Sequence, residues 1–75
     1  MMAKSHSGFA QAYREAVDAV LKAVATIGEE RRQHLSDARM AVGKASHNAL
    51  SGEEWYLADH LRRSIKDVEL AVTAG

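Results

Sequence analysis

The stretch Ser51–Val72, SGEEWYLADHLRRSIKDVELAV, decides how the rest of the chain is read. Ser51 is followed three residues later by Glu54, the spacing of a capping box. In that motif the serine hydroxyl takes one free amide at a helix start and the glutamate reaches back to another. Leu50, just before it, is placed to staple against Trp55. Ala58, Leu61, Ile65, Val68 and Val72 then recur at steps of 3, 4, 3 and 4, the repeat of one helical face. Trp55 and Leu57 flank that stripe, and the spacing predicts a helix over residues 52–74.

The same repeat runs backwards through the chain. Leu35, Ala38, Val42, Ala45 and Ala49 step by 3, 4, 3 and 4, with Glu29 and Glu30 where acids favour the positive end of a helix dipole. This predicts a second helix over residues 29–47, ending near Ser46-His47-Asn48. Its face is nearly all alanine, which lets a neighbouring helix come close. Gly43 within it is either a close-packing point or a weakness costing about 1 kcal/mol relative to alanine. Phe9, Tyr13, Ala16, Val20, Ala23 and Ile27 mark a first helix over residues 8–27, with Ser7 as its N-cap and Gly28 as the residue that ends it. Ala10, Val17, Leu21 and Val24 widen that stripe, so the helix is expected to bury more than a narrow seam. Arg14, Asp18 and Lys22, and Asp59, Arg63 and Asp67, space opposite charges four apart on the outer faces, each pair worth a few tenths of a kcal/mol. Three amphipathic helices with short connections read as one all-α domain over residues 1–75, an antiparallel three-helix arrangement.

Composition bounds the function. The chain has 75 residues, ten basic and ten acidic side chains, four histidines, no cysteine and no proline. A chain of this size buries only about 60 % of its unfolded surface. Its core is therefore marginal, and a second copy completing a helical bundle is expected. Zero net charge argues against general nucleic-acid binding. The lack of cysteine excludes disulfides and thiolate metal sites. After Met1-Met2-Ala3-Lys4 the chain turns polar at Ser5-His6-Ser7-Gly8, so no secretory signal is read there, and no apolar run spans a membrane. The expected location is the cytoplasm.

The motifs of catalysis are missing. No glutamate has a histidine three residues later, and His-Glu-x-x-His is absent. Glu30 and His34 are four apart and would supply two ligands at most, so no metal is expected. His6, His47 and His60 read as surface or junction residues, His60 partly packed. Glu29-Glu30 and Glu53-Glu54 diverge on a helix and cannot face one bond together, as paired glycosidase carboxylates do. No Gly-x-Ser-x-Gly turn exposes a serine. Gly43-Lys44 has the ending of a P-loop, but Ala38 and Ala45 stand where glycine and a hydroxyl residue belong. No enzyme and no cofactor are expected.

Two sets of residues are candidates for contact. The doublets Arg31-Arg32 and Arg62-Arg63 would together serve a phosphate backbone, although Glu29, Glu30, Asp59 and Asp67 lie within a turn or so. A third helix opening on Glu53-Glu54-Trp55-Tyr56 presents acids where a major-groove reader presents Arg, Asn or Gln. Trp55 and Tyr56 are adjacent and cannot both point inward. Tyr56 and Leu70 are therefore the candidate partner surface, for a second copy or another helical protein.

Ser7-Gly8 leading into Ala16-Val17, the basic start Glu30-Arg31-Arg32-Gln33-His34-Leu35, the run Leu57-Ala58-Asp59-His60-Leu61-Arg62 and the ending Val72-Thr73-Ala74-Gly75 follow one another in an order that resembles the helical domain of the MnmE (TrmE) tRNA-modification GTPases. The ending lies about two residues too far from Leu61-Arg62. The family's P-loop, guanine-recognition motif and C-terminal cysteine are all missing, so no functional residue carries over. The resemblance implies a detached helical module for assembly or docking, linked to RNA, and not a GTPase. The reading as a whole is a non-catalytic, self-associating helical module, with an RNA-linked accessory module as the alternative.

Overall fold

The computed structural model describes residues 7–74, the side chains of Ser7 and residues 72–74 excepted. His6, Gly75 and the Val72 side chain therefore lie outside the described residues. Three helices follow one another: α1 (Ser7–Val24), α2 (Gly28–His47) and α3 (Gly52–Ala74). No strand occurs among the described residues. α2 lies between the other two, packing extensively on α1 and less on α3, while α1 and α3 touch only sparingly. The molecule measures 44 × 21 × 14 Å.

The helix ends are built by local hydrogen bonds. At α3 the Glu54 amide donates to Ser51 Oγ at 3.2 Å, and Glu54 Oε1 accepts the Leu50 amide at 2.8 Å. The capping box forms, its return arm shifted by one residue onto Leu50. The expected staple does not hold the pair inside, because Leu50 and Trp55 are both exposed. At the far end of α2, Asn48 caps with its amide N–H and with Nδ2, which reaches Lys44 O at 2.8 Å. A Cβ at Gly8 would stand 3.2 Å from Asn48 Oδ1, so the missing side chain lets the start of α1 sit beside this cap.

α1 stops three residues before the expected end and takes in Ser7, the residue expected to cap it. Thr26 Oγ1 donates to Lys22 O at 2.8 Å, and Arg31 Nε, from α2, donates to Ala23 O at 2.9 Å. These bonds satisfy carbonyls that would otherwise call for another helical turn. Ile27 is extended and 78 % exposed rather than the last member of the core stripe. Gly28 has φ 63° and opens α2 instead of closing α1.

The core is Phe9, Ala12, Ala16, Ala19 and Ala23 of α1, Leu35, Ala38, Ala41, Val42 and Ala45 of α2, and Ala58 and Ile65 of α3. Eight of these twelve residues are alanine. Tyr13, Val20, Ala49, Leu61 and Val68 pack against them, partly buried, and Tyr13 stacks on Phe9 with ring centroids 5.6 Å apart. α1 is thus rotated from the expected orientation. Alanines set against alanines bring α1 close to α2, and the larger residues expected to widen the buried seam are turned out. Leu21 is 63 % and Val24 58 % exposed, and Val17 is half-buried.

Candidate functional site

None of the described polar or charged residues is buried. Among them no group of three or more His, Cys, Asp or Glu side chains comes together to hold a metal ion. No described helix is long and apolar enough to cross a membrane. His34 is half-buried, and His47 is exposed. His60, expected to be partly packed, is exposed, its ring 6.1 Å from that of Tyr56. The hollows between α1 and α2 are open and lined by Gln11, Glu15, Asp37 and Lys44 among others. Gly43 is not a packing point, since a Cβ there would meet nothing within 4 Å.

The arginines are drawn into the fold to different degrees. Arg31 caps α1 through its bond to Ala23 O. Arg62 and Arg63 both turn to one carboxylate, Asp59, at 3.6 and 3.4 Å. Arg32 is exposed at the start of α2. Charge pairing follows a pattern that spacing alone did not specify. Asp18 takes Lys22 at 3.2 Å rather than Arg14, Arg63 takes Asp59 rather than Asp67, and Arg39 of α2 pairs with Glu69 of α3.

Tyr56 and Leu70 are both exposed, at 63 % and 59 %. They stand fourteen residues apart on the outward side of α3, with the charged Arg63, Lys66 and Asp67 between them.

Uncharged stripes, mostly apolar, lie elsewhere on α1 and α3. Tyr13, Val17, Val20, Leu21 and Val24 share one side of α1, turned about 100° from its alanine face at 3.6 residues per turn. Leu57, Leu61, Ser64, Val68 and Ala71 share one side of α3, turned about 90° the opposite way from Ala58 and Ile65. α1 and α3 run in the same direction on either side of α2, so opposite rotations bring both stripes to one side of the molecule, away from α2. Every member is exposed or only partly buried, and none is charged. Arg14 borders this face on α1, and Asp67 borders it on α3. The signal was present in the sequence as the residues that widened the first helix and as Leu57. The face needs both helices, and their relative rotation is a property of the packing.

Compared with known protein families, curated proteins and solved structures, the chain matches none.

Proposed function

We propose that this protein is a non-catalytic helical assembly module that associates with a second copy of itself through the α1–α3 face. The observation that carries this reading is the inverted distribution of apolar size. The buried core holds mostly alanine, while Leu21, Val24, Ile27, Met40, Leu50, Trp55, Tyr56, Leu57 and Leu70 stay exposed. Burial stabilises by about 0.8 kcal/mol per CH₂, so a core of alanine gains little against chain entropy. The largest apolar patch on a typical monomer covers about 300–600 Å² and is often functional. Here α1 and α3 each carry an uncharged, mostly apolar stripe that the core does not bury.

The alternative, an RNA-linked module of the kind the MnmE resemblance implies, draws less support. Three of its four candidate arginines, Arg31, Arg62 and Arg63, already serve partners within the fold.

Light scattering behind a sizing column, at two well-separated concentrations, tests the proposal. The parent chain should run as a dimer or larger assembly at the higher concentration. Leu21→Asp and Leu57→Asp, at positions already open to solvent, should each shift it to monomer with helicity retained. Leu70→Asp should leave the assembly in place. A parent that stays monomeric at both concentrations, or an assembly indifferent to both face variants, would overturn the reading.

A further inference from the structure

The two helix junctions are built differently, and the difference decides which helix can leave. Between α1 and α2, Gly28 turns the chain with φ 63°, and the Arg31 side chain ties α2 to Ala23 O. Between α2 and α3 lie Asn48, Ala49, Leu50 and Ser51, none of them with positive φ. Asn48 sits at φ −95° and ψ 4°, in the bridge region beside the helical one. Ala49 and Leu50 are strong helix formers. This joint can therefore straighten into helix without any φ changing sign, and the other cannot.

α3 is also the helix held least. It contributes two of the twelve buried core residues, Ala58 and Ile65, where α1 and α2 contribute five each. It touches α1 only sparingly, and Arg39–Glu69 ties it to α2 at the surface. Lifting α3 away bares its stripe of Ala58, Leu61, Ile65 and Val68, and leaves the α1–α2 hairpin with the other ten core residues.

We infer that α3 exchanges between copies. It swings out about residues 48–51 and seats its apolar stripe on the α1–α2 hairpin of a second molecule. A second copy is the occupant because its hairpin is the surface to which that stripe is already fitted. The closed and exchanged forms share the contacts of α3, so they differ at the joint and in the cost of bringing two chains together. High protein concentration therefore favours exchange. Reciprocal exchange is self-complementary and closes at two chains. It needs no apolar surface beyond what already holds α3, and the α1–α3 face proposed above plays no part in it.

The Arg39–Glu69 pair supplies the test. Every chain carries Leu21→Asp, which disables the α1–α3 face. One chain adds Arg39→Glu, and the other, isotope-labelled, adds Glu69→Arg. Within the first chain two carboxylates then meet across α2 and α3, and within the second two guanidinium groups. Exchange between the two chains makes both contacts attractive, because native Glu69 meets native Arg39 and the two introduced charges meet each other. The chains are unfolded together, refolded as an equal mixture at high concentration, checked for helicity by circular dichroism and weighed by native mass spectrometry. Mixed dimers should rise well above the statistical half. A Gly-Ser-Gly-Ser insertion between Ala49 and Leu50 in both chains frees each α3 to reach its own hairpin, and should return the mixture to monomers. Dimers in statistical proportion, dimers that survive the insertion, or monomers alone in the uninserted mixture would overturn the exchange. Those failures leave the α1–α3 reading standing, since its face is disabled in every chain. A parent that never associates on the sizing column, beside enriched mixed dimers here, would remove that reading and keep the exchange.

Discussion

Glycine shows at single-residue scale how a spacing argument divides. Gly43 and Gly28 both interrupt helical pattern, but their environments differ. Gly43 is helical and exposed, with open space where a Cβ would stand. Gly28 holds φ 63°, a left-handed conformation that costs an L-residue roughly 1–2 kcal/mol. Gly43→Ala should therefore stabilise the protein by about 1 kcal/mol and Gly28→Ala destabilise it by about the same amount. Thermal melts at one fixed protein concentration check this, with shifts of about 4–8 °C in opposite directions. The capping residues were legible at this scale because Ser51 and Glu54 act within one helical turn. The end of α1 was not, because the group that closes it, Arg31, lies eight residues away on the next helix.

Helix α1 carries two apolar faces, and a stripe read from spacing does not say which one is spent on the core. Phe9, Ala16 and Ala23 belong to the series read from the sequence, yet the buried set adds Ala12 and Ala19 and leaves Tyr13 and Val20 at the edge. Alanine wins because α2 also presents alanine, and two small-residue surfaces approach more closely than leucine or valine would allow. The α1–α2 junction makes a second prediction at this scale. Arg31→Ala removes the donor to Ala23 O and should cost about 1 kcal/mol. Arg32→Ala, exposed beside it, should change stability by less than about 0.5 kcal/mol. Denaturant unfolding of the two variants separates a capping arginine from a solvated one. Equal losses would show that the doublet acts through its charge alone.

For the whole molecule, stability and assembly are linked. A partner that binds only the folded chain raises its apparent stability by mass action. The melting temperature should accordingly rise with protein concentration for the parent. The dependence should flatten in Leu21→Asp, which exposes a charge on the pairing face. A calorimetric concentration series measures both. A parent melt that does not move with concentration would mean that the alanine core and the inter-helix pair Arg39–Glu69 suffice within one chain.

By itself the sequence determined the all-α class, the three helices, the break around Asn48 and the cap at Ser51. Each of these rests on neighbours within a turn or two, where propensity, capping and the repeat of apolar residues act locally. Only the tertiary structure decided which face of α1 is buried, where α1 stops, which charges are paired and which apolar stripes stand together. Those outcomes depend on how closely two helices approach and how far each is rotated about its axis. Rotation is set by the fit of small side chains across the α1–α2 contact, and a one-dimensional repeat is nearly blind to it, since Val17, Leu21 and Val24 satisfy helical spacing as well as Ala12, Ala19 and Ala23 do.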